Sequence, residues 1–314
     1  MSESEEKMKL QIHKVIRRFS IPLFFLLTYG WSWGSWLFVT RIHEVYQEVL
    51  RGVPTILTVS AIPLTVRIGY AIAALTGTFG PAISAVILTA AIGGKNGLRE
   101  FFGRIVKWRI GIRYYLAAFL IPPAMLIIRL GLILLLGGKL QTDISPTGFL
   151  AALGMFLNFF FSAGGQEELG FRGFAQPKLQ EKLNLVVTSL IIGVLWFIWH
   201  LPLYLWVPNV TQHGQSLLFG LLAQISFCFT FTWLYNRTQS ILMPMLLHAT
   251  INFLHSIVVV SVSGSQSELI FWTALIVPYF VLGVWLVWRD ESKNKTLPSP
   301  KLLCTSDFKQ DVQT

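Results

Sequence analysis

The chain has 314 residues, of which 54% are hydrophobic and 13% charged, with a mean hydropathy of +0.61. Soluble domains carry about 25% charged residues, so this composition points to lipid rather than water as the main solvent. The net charge of +10 in a soluble protein would suggest nucleic acid; here the basic residues flank apolar runs, where membrane orientation accounts for them.

Met1–Phe19 is basic, with Lys7, Lys9, Lys14, Arg17 and Arg18, and reads as a cytoplasmic N-terminus. The apolar run that follows is too long for the core of a secretory signal and no small-residue cleavage site succeeds it, so an uncleaved first span is expected. A membrane helix needs about 20 mostly apolar residues. Runs of that kind occupy 20–40, 70–93, 114–137, 149–166, 186–205, 216–235, 241–262 and 269–288. The expected fold class is all-α: a polytopic transmembrane bundle of about eight spans over 20–288, with a polar cytoplasmic tail over 289–314. The segment 53–69, broken by Pro54, Pro63 and Arg67, stays outside the bilayer in this reading.

With the N-terminus inside, the inner segments gather the basic N-terminus, the cluster from Lys95 to Arg113, then Arg172, Lys178, Lys182 and Arg237, and the tail from Arg289. The outer loops hold only Arg41, Arg51, Arg67 and Lys139, and Arg129 falls inside a span. This bias follows the positive-inside rule and places both termini in the cytoplasm. Between Gly93 and Arg113 basic residues alternate with Leu98, Phe101, Phe102, Ile105 and Trp108, the pattern of a helix lying on an anionic leaflet. A basic loop that anchors topology reads equally well. Cys228 and Cys304 form no disulfide or metal spacing. The glycosylation patterns at Asn209 and Asn236 have no role in this reading.

Ionisable residues within spans are costly and mark function. The first group is Gln166-Glu167-Glu168-Leu169-Gly170-Phe171-Arg172. On one helix Glu168 and Arg172 are i,i+4 in the favoured order, while Glu167 is turned about 100° away. One glutamate can then be neutralised by the arginine, leaving the other to face a cavity as a general base. The second group is Trp196-Phe197-Ile198-Trp199-His200, where Trp196 and His200 share a face. In the third, His248 and Asn252 are i,i+4 and point to one side of one helix. Each group alone has a plain reading as a helix end or as interhelical hydrogen bonding. Together they supply a base to activate water and donors for an oxyanion. Glu167, His200 and His248 could equally ligate a metal such as zinc, so metal-free and metal-assisted hydrolysis both remain open at this point.

The order Glu167-Glu168-x-x-x-Arg172, aromatic-x-x-x-His200, His248-x-x-x-Asn252 resembles the CPBP family of CAAX prenyl endopeptidases and bacteriocin-processing (Abi) proteins. Gly80-Pro81-Ala82 and the later Gly93-Gly94-Lys95 with Arg99 are similar to its upstream region, so the resemblance covers about 70–260. Trp196 stands where the family usually has phenylalanine. The resemblance implies an intramembrane endopeptidase acting at the cytoplasmic face. In it Glu167 would activate water beside His200, His248 and Asn252 would bind the oxyanion, and Glu168 and Arg172 would support Glu167. Its implied partners are membrane lipids and a peptide or lipidated-protein substrate, with no nucleic acid. A scaffold or immunity protein using the same cavity without catalysis is the alternative. A proton-coupled carrier fits less well, because matching halves with broken helices are not seen.

Overall fold

A bilayer offers no water to backbone amides and carbonyls, so apolar runs satisfy these groups internally as helices. The computed structural model describes residues 3–49, 63–144, 148–207, 212, 214–264 and 266–293. In chain order these form α1 (Glu3–Arg18), α2 (Ser20–Val49), α3 (Leu64–Thr78), α4 (Gly80–Ile105), α5 (Ile112–Leu135), β1 (Lys139–Ile144) and α6 (Phe149–Phe161). There follow α7 (Glu167–Gly170), a π-helical turn (Phe171–Ala175), α8 (Gln176–Gln180), α9 (Leu185–Leu205), α10 (Leu217–Thr238), α11 (Leu242–Ile257), β2 (Val258–Ser263) and α12 (Ser267–Lys293). Segment 53–62, the motif at Asn209 and the tail beyond Lys293, with Cys304, lie outside the described residues.

The chain is a helical membrane bundle. Among the described residues four helices, α5, α9, α10 and α12, are long and apolar enough to cross a membrane. Helices α6 and α11 are apolar but only 13 and 16 residues long, so a count of eight full spans is not reached. The outer surface is rich in large apolar side chains, among them Leu26, Ile127, Leu135, Phe149, Leu150 and Val281, as a lipid-facing surface requires. Pro122, Pro123, Pro202 and Pro278 sit inside helices, a tolerated feature where neighbouring helices surround the freed backbone groups.

The structure departs from the sequence expectation at several helix ends. The run 70–93 is divided: α3 stops at Thr78 and α4 restarts at Gly80, with Pro81 in its first turn, where a missing N–H costs nothing. The basic stretch from Lys95 continues α4 as far as Ile105, beyond a kink at Gly94 (φ 54°). The run 149–166 is helical only to Phe161. The run 241–262 gives way at Ile257 to β2, which pairs antiparallel with β1 in the register Ile144↔Val258 to Lys139↔Ser263. Val258, Val259, Val260 and Val262 are β-branched, which favours strand over helix when a partner edge is available. At the other end α12 runs on to Lys293 rather than yielding to a polar tail at 289. Its Asp290 pairs with Arg237, and its Glu291 carboxylate accepts from the backbone amides of Leu185 and Val186. With Asn184 accepting from the amide of Val187, the otherwise unpaired amides at the start of α9 are capped.

The core lies where α9 packs on α10, and α2 on α4 and α9. Phe24, Phe171, Phe174, Trp199, Phe231 and Tyr235 are buried in one cluster, with the Phe24 and Phe174 rings stacked at 5.4 Å. This aromatic mass holds the short α7–α8 segment. A Cβ at Gly170 would lie 2.5 Å from the Cβ of Pro81, so glycine there lets α7 press against the start of α4.

Candidate active site

The site begins where α6 ends. Residues 162–166 form a turn, and Gly164 adopts φ 147°, outside the range open to other residues at low cost. A Cβ on Gly164 would lie 2.7 Å from Asn252 Nδ2 and 2.8 Å from His248 Cδ2, so the turn rests directly on the polar face of α11. One bond ties it to α11 and another closes the turn on itself. Asn252 Nδ2 donates to the Ala163 carbonyl at 2.8 Å, and the Gly164 amide donates to Gln166 Oε1 at 2.8 Å.

The turn delivers two consecutive glutamates to α7, and they face different partners. Glu168 Oε2 lies 2.9 Å from an Arg172 amino nitrogen, an ion pair without the alignment of a hydrogen bond. Glu168 Oε1 accepts from His248 Nδ1 at 2.7 Å. Arg172 sits within the π-helical turn, a local widening of the helix that recurs at functional sites. Its guanidinium lies over the rings of Phe231 (4.6 Å) and Trp196 (5.0 Å) and donates to Cys228 Sγ at 3.2 Å. An isolated buried charge is expensive; here a carboxylate, two aromatic faces and a thiol surround it.

Glu167 Oε2 accepts from the Trp196 indole N–H at 2.8 Å. One turn on, His200 Nδ1 lies 3.0 Å from the Trp196 carbonyl, which only an N–H can satisfy, so Nε2 is the unprotonated atom. Gln224 Nε2 lies 3.3 Å from the same Nδ1 while Gln224 Oε1 is buried without a partner. Exchanging the two amide atoms would let Oε1 accept from Nδ1–H. Trp196 therefore couples the base candidate to the histidine beside it, one through its side chain and the other through its backbone.

The structure thus brings Glu167, Arg172, His200 and His248 around the ring of Trp196, His248 lying edge-on to it at 5.5 Å between centroids, with Glu168 bridging Arg172 and His248 and Asn252 bonded to the turn before them. Accessibility separates them. Glu168 and Arg172 are 0% exposed, Glu167 is 6% and the two histidines 7%, and Asn252 is half-buried. Only the second set can touch a ligand. Among the described residues no three His, Cys, Asp or Glu side chains are gathered so as to hold a metal ion. Glu167, His200 and His248 do not form a coordination set in this arrangement. The sequence reading missed Gln224, Cys228 and Phe231; Gln224 and Cys228 are i,i+4 within an apolar run, the same spacing that singled out His248 and Asn252.

A family model, type II CAAX prenyl endopeptidase Rce1-like, matches residues 149–254, a stretch containing all six of these side chains. CAAX prenyl protease 2 of Methanococcus maripaludis is 30% identical, over 58% of this chain and 71% of the relative. With the order of the motifs and the helical membrane bundle, this match shows that the chain belongs to the Rce1-like family of type II CAAX prenyl endopeptidases and is an intramembrane peptidase.

Proposed function

We propose that the enzyme hydrolyses a peptide bond near the prenylated C-terminus of a substrate, using water activated by Glu167. The carrying observation is the split in burial: Glu168 and Arg172 are sealed, while Glu167, His200 and His248 each keep a small exposed area. A water between Glu167 and His200 Nε2 gives up a proton to the Glu167 carboxylate as its oxygen attacks the scissile carbonyl. The oxyanion receives hydrogen bonds from the Asn252 amide and from His248 Nε2–H. As the tetrahedral intermediate collapses, the C–N bond breaks and the proton held by Glu167 passes to the leaving amine. Glu168 and Arg172 are positioning residues. Glu168 fixes His248 through Nδ1, and Arg172 holds Glu168 in place through their ion pair.

The substrate class is supported by the name of the relative, a CAAX prenyl protease, and by the apolar outer surface, against which a prenyl chain in the bilayer would lie. The distribution of Lys and Arg supports a reaction on the cytoplasmic side, with both termini there. The reading is tested with purified protein in detergent and a fluorescent panel of prenylated and unprenylated C-terminal peptides. Cleavage by the wild type that is lost in Glu167→Gln supports it. Equal cleavage by that variant would overturn the role of Glu167, and selective cleavage of unprenylated peptides would overturn the substrate class.

A further inference from the structure

The last turns of α10 and α12 and the first turn of α5 meet around a cavity of about 290 Å³. Its wall carries three arginines, Arg113 from α5, Arg237 from α10 and Arg289 from α12. Asp290 is the acidic residue of that wall, so the lining has a net charge of +2. Asp290 is buried and already paired with Arg237. Among the described residues Arg113 and Arg289 form no ion pair. Arg113 donates to the Tyr114 hydroxyl at 3.0 Å, and the Arg289 guanidinium lies 5.1 Å from the centre of the Trp285 ring; neither contact supplies a negative charge. The start of α5 has no side-chain cap, so the positive end of that helix adds to the same field. A cleft lined by one sign of charge concentrates the opposite ion. Its volume is several times the share of about 30 Å³ that one water takes, and it approaches the lower bound of about 300 Å³ for small-ligand sites.

The surroundings of the cavity select the anion. Trp233 and Tyr114 line it with their rings 6.4 Å apart, and Trp285 and Trp288 are exposed on α12 beside Arg289. Rings of this amphipathic kind gather at the level of the lipid headgroups. About one turn from Trp285 toward the middle of α12, Phe280 and Val281 are exposed, an apolar surface for acyl chains. We propose that Arg113, Arg237 and Arg289 bind the phosphate of an anionic phospholipid, whose acyl chains lie along Phe280 and Val281. The planar guanidinium matches two phosphate oxygens at once. A phosphatidylcholine phosphate brings its own quaternary ammonium, which the positive lining repels, so the site selects headgroups of net negative charge. Glu291, next to Asp290, caps the start of α9, the helix that carries His200, so the lipid braces the frame of the active site. The proposal does not depend on the peptidase reading.

Binding is measured on delipidated full-length protein in detergent, by energy transfer from tryptophan to phosphatidylglycerol labelled with dansyl on an acyl chain. Unlabelled phosphatidylglycerol, phosphatidylcholine and inorganic phosphate serve as competitors. The variants are Arg113→Gln with Arg289→Gln and, as a control that removes the same charge outside the cavity, Lys95→Gln with Arg99→Gln. All four side chains are exposed, and thermal unfolding without lipid confirms that each variant folds. Phosphatidylglycerol is expected to compete at least about tenfold better than phosphatidylcholine, and the cavity variant to bind the probe at least about tenfold more weakly. The control should stay within about twofold of wild type, and the Arg289→Gln single variant should show part of the loss. Equal competition by the two lipids, an equal loss in the two double variants, or an unchanged affinity in the cavity variant would overturn the proposal. Inorganic phosphate displacing the probe as readily as phosphatidylglycerol does would overturn the lipid as the source and assign the cavity to free phosphate.

Discussion

Arg172 and Arg129 are both buried in the same bundle, 0% and 5% exposed, and their surroundings differ. Arg172 has Glu168 at 2.9 Å, a thiol at 3.2 Å and two aromatic faces. Arg129 has one aromatic face, and two of its nitrogens lack a partner. In the first region the chain compensates its own charge, and the result is a rigid frame that orients His248. In the second the compensation is left open. A charge closed within the protein holds geometry; the open one leaves two buried nitrogens unpaired.

The largest effect should come from opening the closed circuit. Arg172→Met strands Glu168 in the core and should cost about 3–5 kcal/mol, the expected penalty for an unpaired buried charge, read as thermal unfolding in detergent. Adding Glu168→Gln to that variant should restore much of the stability but little of the cleavage, because an amide replaces the carboxylate that holds His248; full recovery of activity would contradict the positioning role. Gly164→Ala should cost about 1–3 kcal/mol in backbone strain. It should also lower cleavage about a hundredfold by displacing Asn252 and His248, since a misplacement of about 1 Å is that expensive. Trp196→Phe keeps the ring but removes the N–H donated to Glu167, and should slow cleavage about tenfold for a bond of about 1.5 kcal/mol. The smallest effect on stability is expected at the open circuit. Arg129→Leu should leave the unfolding temperature unchanged or raise stability by about 1 kcal/mol, as replacing uncompensated buried charge does. A large drop would mean that the fold itself depends on Arg129.

Much of this was legible in the sequence, for identifiable reasons. Apolar runs become helices because lipid leaves the backbone no alternative, and the pairs Glu168/Arg172 and His248/Asn252 share faces because i,i+4 spacing puts them there. The breaks were harder to see. The turn at Gly164 depends on a positive φ that no local pattern announces, and the π-helical turn leaves no mark in Phe171–Ala175. The strand at Val258–Ser263 depends on pairing with Lys139–Ile144, more than a hundred residues away, so a hydropathy reading extends the helix through it. Cys228 and Gln224 looked like ordinary members of a span, because only tertiary contact brings them to Arg172 and His200. Arg129 was visible as a charge in a span, but its lack of a partner is a property of three helices together.

The central claim is that Glu167, not its neighbour, is the base. The most direct measurement is single-turnover cleavage of a prenylated C-terminal peptide by wild type and Glu167→Gln, with binding and thermal unfolding measured on the same samples. The account predicts a rate loss of about 10²–10⁴ with binding and unfolding temperature unchanged, since Glu167 makes one hydrogen bond and no ion pair. A variant that folds, binds and cuts at the wild-type rate would contradict it.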